Sequence, residues 1–335
     1  MSTTIPLIRG FALLPTLRWL SAHGCSIDRL LEEVDLPAGV GANPFRPIPL
    51  VHAAALLRNA AKDFGPDLPC RIIAEAANIE IAMLGKVALG ARSPGEALMR
   101  IVTALPYYCS HEEVSVERQP GRYVVREFFA HKFDPETRHI LLQYAAAMID
   151  RVLGMAGDPP PRFVSLELPP HPTFGIRHLR SRFGDTLVEG RSRGLAVVVD
   201  ERIMHRPFSR VARNRLGVRA LDAQPLRGDG TSSGSVRTFI QLTIEAEQTP
   251  SLSRVVAAAG TSERSLQRQL EAEGTSFSEL LADTRRSETV HRLGDHGMTI
   301  ASIAAGLGYS DQASFTRAFR RWTGSPPGQF RGRSA

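Results

Sequence analysis

Two stretches of this 335-residue chain repeat one another. LSRVVAAAGTSERSLQRQL, residues 252–270, aligns with IASIAAGLGYSDQASFTRAF, residues 300–319. Leu252 matches Ile300, Val255 matches Ile303 and Gly260 matches Gly308. After one extra residue in the second copy, Leu266 matches Phe315, Gln267 matches Thr316, Arg268 matches Arg317 and Leu270 matches Phe319. Each copy reads as an apolar helix, a glycine-containing turn and a second, amphipathic helix. That is the helix-turn-helix plan, whose tight turn sets the two helices steeply across each other.

The second helix of each copy, about 262–273 and 311–323, is the part that carries chemistry. With Leu266 and Leu270 toward a core, helical rotation turns Arg264, Gln267 and Arg268 away from it. With Phe315, Phe319 and Trp322 buried, Ala313, Thr316, Arg317 and Arg320 face outward, and Gln312 lies in the first turn. Arginine pairs with guanine and glutamine with adenine through double hydrogen bonds in the major groove. Small residues such as Ala313 and Ser314 allow close approach to a partner. The plain alternative is a solvated helix face, and Glu263 and Glu271 show that the first helix is not purely basic. A merely solvated face would more often mix in glutamate and lysine.

Between the copies lies TSFSELLADTRRSETVHRL, where Ser276 and Glu279 ahead of Leu280 and Leu281 form a capping box. A helix from there to about Leu293 spans roughly 25 Å. Such a connector suits two helices placed in successive major grooves, about 34 Å apart on one DNA face.

The segments TSERSLQRQLEAEGTSFSELLADTRR and MTIASIAAGLGYSDQASFTRAFRRWTGSPPGQFR closely resemble the DNA-binding domain of the AraC/XylS family of bacterial transcription regulators. The residues carrying the match include Gly308-Tyr309, Phe315, Arg317-Ala318-Phe319, Gly324, Pro326 and Arg331. The resemblance covers about the last hundred residues and implies two helix-turn-helix units joined by a long helix. It places base contacts at Arg264, Gln267, Arg268, Gln312, Thr316 and Arg317. Ser287-Glu288-Thr289 and Arg292-Leu293-Gly294-Asp295 depart from the usual connector pattern.

Upstream, DAQPLRGDGTSSGS, residues 222–235, loses apolar periodicity and reads as a flexible linker. Residues 12–22 and 49–62 carry helical spacing, and Ser93-Pro94-Gly95-Glu96 opens another helix. EVSVERQ and RYVVREFF, with Pro120-Gly121 between them, predict a hairpin. A helix over 135–153, a strand at RFVSLEL, a helix near 173–182 and a strand at LAVVVD complete an α+β domain of helices plus an antiparallel sheet. A basic segment follows, with Arg202, Arg206, Arg210, Arg213, Arg215 and Arg219 as either phosphate contacts or a solvated helix face. The stretches ARSPGEALMRI, RFGDTLVEG and LAVVVDERIMHRPF resemble the family subgroup with an "arabinose-binding-like" N-terminal domain. Members of that subgroup are linked to varied effectors, including amino acids such as ornithine or arginine. No residue-level ligand motif carries over, so the effector-binding residues are unknown at this point.

Composition sets the outer limits. A hydrophobic content of 43% with 22% charged residues is that of a globular chain long enough for two cores. A formal charge of +7 hints at a polyanionic partner. Lysine occurs only at Lys62, Lys86 and Lys132, so arginine, with its bidentate fork, supplies most of that charge. Cys25, Cys70 and Cys109 are far apart and make neither a disulfide framework nor a zinc motif. The N-terminus lacks a secretory pattern and no apolar run reaches membrane-spanning length, so a cytoplasmic protein is expected.

Two other classes compete. Cys109-Ser110-His111 invites a nucleophile reading, but adjacency in sequence is not catalytic geometry, and no GxSxG, P-loop or GxGxxG motif accompanies it. A protein-interaction module without DNA binding also fits, because acids nearly balance arginines beyond residue 236. The expectation is therefore a non-enzymatic, sequence-specific DNA-binding transcription regulator without cofactor or metal. Residues 1–221 would form an α+β effector-sensing and self-associating domain, 222–235 a linker, and 236–335 an all-α double helix-turn-helix domain. DNA contacts are assigned to Arg264, Gln267, Arg268, Gln312, Thr316, Arg317 and Arg320. Expected partners are double-stranded DNA, a small-molecule effector of amino-acid-like chemistry, RNA polymerase for an activator, and a second copy of the chain; no membrane is involved.

Overall fold

The computed structural model describes residues 5–41, 43–76, 90–208, 226, 229–245, 248–294 and 297–333. Two compact units emerge: residues 7–227 form one, and residues 228–335 with the first six form the other. Arg210, Arg213, Arg215 and Arg219 of the basic segment lie outside the described residues. Of the two that are described, Arg202 pairs with Asp200 at 3.1 Å and Arg206 pairs with Asp158.

The first unit is α+β. Strand β1 (Leu7–Arg9) pairs antiparallel with β2 (Pro47–Pro49), beside helices α1 (Leu14–Ala22), α2 (Ile27–Glu33), α3 (Leu50–Phe64) and α4 (Leu68–Glu75). Helix α5 (Pro94–Tyr108) starts where expected, its cap Ser93 accepting a hydrogen bond from the Glu96 amide. Strands β3 (Glu112–Gln119) and β4 (Arg122–Phe129) form the hairpin. Helix α6 (Pro135–Gly154) is capped by Asp134, which accepts from the Thr137 amide at 3.0 Å. Then come β5 (Ser165–Leu168), a helical turn α7 (Arg180–Phe183), β6 (Leu187–Glu189), β7 (Leu195–Asp200) and α8 (Glu201–His205).

The five-stranded sheet has the order β3-β4-β7-β5-β6. It departs from the expected antiparallel sheet in one pair, since β5 and β6 are parallel. The helix expected near 173–182 shrinks to a 3-10 turn, Arg177–Leu179, followed by α7. His171 accounts for this: its backbone bridges to Gly175 and its Nδ1 accepts from the Thr173 and Phe174 amides. The chain is thus turned tightly before a helix can begin. Val125, Val197 and Val199 share one core with Ile140, Leu142, Ala146 and Ile149 of α6. Helix α6 is buried around most of its circumference, which is why it lacks a clean polar face.

The second unit has only helices as regular elements among its described residues. They are α9 (Ser232–Glu245), α10 (Leu252–Ala259), α11 (Glu263–Ala272), α12 (Phe277–Leu293), α13 (Ile300–Gly306), α14 (Gln312–Thr323) and α15 (Pro327–Arg333). Helix α9 begins inside the stretch expected to be linker. The Glu273 carboxylate accepts from the Ser232 and Ser233 amides at 2.8 and 2.7 Å, capping a helix whose own first residues are poor helix formers. Partial burial pushes the Glu273 carboxyl up, but those hydrogen bonds outweigh it and hold it below its usual range. The Ile5 amide also belongs to this unit, donating to Ser235 Oγ at 2.6 Å.

Candidate nucleic-acid interface

The repeat in the sequence is a repeat in the structure. Helices α10 and α11 form the first helix-turn-helix, α13 and α14 the second, and α12 joins them. The matched glycines both take left-handed backbone, Gly260 at φ +60° and Gly308 at φ +75°. Around each, the same two hydrogen bonds close the preceding helix. Thr261 N donates to Val256 O and Gly260 N to Ala257 O, just as Tyr309 N donates to Ala304 O and Gly308 N to Ala305 O. That pairing satisfies the terminal carbonyls only if one residue turns left-handed, which glycine does without steric cost.

Both second helices are capped from their own sequence. Ser262 accepts from the Ser265 amide, and Asp311 accepts from the Ser314 amide at 2.6 Å. Hydrogen bonds from the Ser314 amide and hydroxyl and from Ser310 hold the Asp311 carboxyl below its usual range. The buried sides are Leu266 and Leu270 in α11, and Phe315 and Phe319 in α14. Tyr309 packs edge-on to Phe315, and Phe330 packs edge-on to Phe319. Trp322, expected in this core, is only half-buried. It sits in the last turn before Gly324, where the short α15 covers Phe319 through Phe330 but leaves the indole at the edge.

The opposite faces carry the residues singled out from sequence. Arg264, Gln267 and Arg268 are exposed on α11, and Gln312, Arg317 and Arg320 on α14. Thr316 is half-buried, and its hydroxyl donates to Gln312 O at 2.8 Å. Arg317 donates to Ser314 Oγ at 2.9 Å, which orients its guanidinium along the start of the helix. Sequence reading missed Arg285 of α12. Its Nε and Nη2 donate to the Leu307 and Gly308 carbonyls at 2.9 and 3.0 Å, and its guanidinium lies 4.7 Å from the centre of the Tyr309 ring. One arginine therefore ties the connector to the second turn. Nothing in the run DTRRSE separates it from Arg286, which is exposed, because only the packing of α12 distinguishes them.

The competing features settle into other roles. The Cys109 thiol is buried and pushed well above its usual range, by desolvation first and by Glu112 second, the opposite of an activated nucleophile. His139, His171 and His178, scattered in sequence, come together. His139 Nδ1 donates to the Pro169 carbonyl at 2.6 Å, leaving its Nε2 3.1 Å from His178 Nε2. Among the described residues no group of His, Cys, Asp or Glu side chains is placed to hold a metal ion, and no helix is long and apolar enough to cross a membrane.

Comparison with known proteins agrees with this architecture. A helix-turn-helix domain family matches residues 255–333, and the arabinose-binding domain of AraC transcription regulators, N-terminal, matches residues 24–208. The chain is 26% identical to the HTH-type transcriptional regulator VirS of Mycobacterium tuberculosis over 317 residues, covering 90% of this chain and 89% of that one. It is 37% identical to the ornithine utilization regulator of Pseudomonas aeruginosa over 82 residues, 24% of each chain. The crystal structure of the transcriptional regulator CdpR from Pseudomonas aeruginosa superposes with a TM-score of 0.44 at 20% identity, over 96% of this chain and 98% of that one. With the arabinose-binding domain family spanning more than half of its 335 residues and a helix-turn-helix domain family matching residues 255–333, the chain belongs to the AraC family of transcription regulators.

Proposed function

We propose that α11 and α14 are recognition helices that enter successive major grooves of double-stranded DNA. Arg264, Gln267, Arg268, Gln312, Thr316 and Arg317 read base edges, and Arg320 contacts the flanking backbone. The observation that carries this reading is the repeated division of the two helices: Leu266 and Leu270, matched by Phe315 and Phe319, are buried, while the matched Arg268 and Arg317 are exposed together with Arg264, Gln267, Gln312 and Arg320. Residues 7–221 act as a small-molecule sensor and self-association domain, with 222–231, the stretch ahead of α9, as the tether to the DNA-binding unit; the division of the chain near residue 227 supports that boundary, although the first six residues, expected in the sensor, fall with the DNA-binding unit. A metabolite bound in the first unit shifts the population of DNA-competent arrangements, which requires that it bind one arrangement more tightly than the other. The same framework admits RNA polymerase as a partner if the protein activates, and a cytoplasmic location.

Selection of bound sequences from a random DNA library, followed by Arg268→Ala and Arg317→Ala, tests the reading. Each substitution should weaken the selected site by about 1–3 kcal/mol and relax preference at one base pair. Wild-type affinity and wild-type preference in both variants would show that neither helix reads bases.

A further inference from the structure

The register of the β3–β4 hairpin places an acid where an apolar residue belongs. Tyr123, Val125, Glu127 and Phe129 alternate onto one side of β4, opposite Arg118, Val116, Val114 and Glu112 of β3. Val125 is fully buried and Glu127 is 4% exposed, so a carboxylate stands in a core row. It lines a cavity of about 180 Å³ to which α5 and α6 also contribute. Leu98 and Ile101, Leu141 and Met148, and Val114 and Val125 form apolar walls.

The polar groups in that lining are few. Tyr144 donates its hydroxyl to the Ala12 carbonyl at 3.3 Å, and the Cys109 thiol is engaged with the Glu112 carboxylate. Among the described residues, Glu127 Oε1 has no hydrogen-bond partner, and no arginine, lysine or histidine lines the cavity. Desolvation first, and Glu112 second, drive the Glu127 carboxyl well above its usual range, with no cation to oppose them. Two neighbouring carboxyls in a dry site share a proton because both cannot ionise. A cation with hydrogen-bond donors removes that frustration, since charge attraction is strong where water is excluded.

We propose that this cavity is a binding site for a small amine with an apolar body about the size of benzene, its ammonium group received by Glu127 with Glu112 beside it. The size follows from the volume, since a dry apolar cavity of about 150 Å³ accepts benzene. An alcohol would offer one donor but no charge. An α-amino acid would bring a carboxylate for which the lining holds no counter-charge. The proposal rests on reading the first unit as a small-molecule sensor and specifies the chemistry sensed.

Calorimetry on the full chain without DNA, using benzylamine, benzyl alcohol and phenylalanine as probes, tests it. Benzylamine should bind once per chain, benzyl alcohol at least tenfold more weakly, and phenylalanine not at all. Glu127→Gln should lose at least tenfold in benzylamine affinity, and Ala145→Phe, which fills the cavity from α6, should abolish binding. Should Glu127→Gln fail to fold, Glu112→Gln is expected to give the same tenfold loss. Equal binding of the alcohol, benzylamine affinity unchanged by both kinds of substitution, or no benzylamine binding at millimolar concentration would overturn the assignment. DNA affinity is measured separately. If benzylamine binds through Glu127 yet leaves DNA affinity unchanged, the site stands and the sensing role fails.

Discussion

The two units keep their polar chemistry on opposite sides of their surfaces. The first buries Arg9, Glu127, His139, Gln143 and Asp150, while the buried polar residues described in the second are only Ser232, Thr243, Thr284 and Thr289. Three of those hydroxyls are consumed inside their own helices, donating one turn back: Thr243 to Phe239, Thr284 to Leu280 and Thr289 to Arg285. The second unit therefore has an inert interior and an arginine-bearing exterior, the distribution needed to meet a polyanion. The first has an interior holding charge and hydrogen-bonding capacity that its own fold does not fully use. Unspent polar capacity inside a core costs stability unless something else makes use of it.

The largest expected effect probes the inert interior. Phe319→Ala removes a ring that packs against both Phe315 and Phe330, and should cost about 3–5 kcal/mol. Thermal unfolding should lose the transition of the helical unit and DNA binding should vanish, while the other unit still melts as in wild type. A single transition shifted as a whole would show that the two units are not independent in stability.

Next in size is acid sensitivity of the first unit. Burial lowers the His139 imidazole to about 4 from an ordinary 6.5, so the folded state disfavours the proton that the unfolded chain accepts. Its contribution is complete above pH 6.5 and is lost as pH falls toward 4, a difference of about 3 kcal/mol. His139→Gln should flatten the pH dependence of stability over that window relative to wild type. An unchanged slope would mean that the carboxylates alone control acid unfolding.

Glu127 has the opposite sign. Its raised folded-state titration makes it a burden above the ordinary carboxylate range that is relieved as pH falls. Glu127→Gln should therefore stabilise the ligand-free protein at pH 8 by about 1–3 kcal/mol, with the gain shrinking toward pH 4. Destabilisation at pH 8 would indicate that the carboxylate has a structural partner. The smallest effect concerns the exterior. Helix α14 carries Arg317, Arg320 and Arg321 without an acid, whereas α11 offsets Arg264 and Arg268 with Glu263 and Glu271. Arg320→Ala should reduce the slope of log affinity against log salt by about one unit, with base preference intact. A changed base preference with an unchanged slope would move Arg320 from backbone contact to base reading.

Legibility differed sharply between these features. The repeat, both turn glycines and the connector from its capping Ser276 to Leu293 could be read from sequence, because each depends on neighbours within a few turns. The hairpin was equally local, and LAVVVD is the strand expected. Trp322 fitted the helical period of Phe315 and Phe319 but lacked a covering element. The linker reading failed at Ser232 because the capping carboxylate, Glu273, comes from 41 residues away. Glu127 was in plain view within RYVVREFF: strand alternation puts an acid in line with Tyr123, Val125 and Phe129, a pattern that flags an inward charge. What alternation left open was which side of the strand would be covered.

Sequence by itself thus determined the double helix-turn-helix plan and the arginine and glutamine positions on it, since helical period and capping are properties of contiguous residues. Tertiary structure alone decided that Arg285 anchors a turn while Arg286 stays in solvent, that three distant histidines meet, and that a carboxylate lines an apolar cavity. Those outcomes depend on which faces are brought together across the fold, and burial, which sets the energy of a charge, exists only once they are.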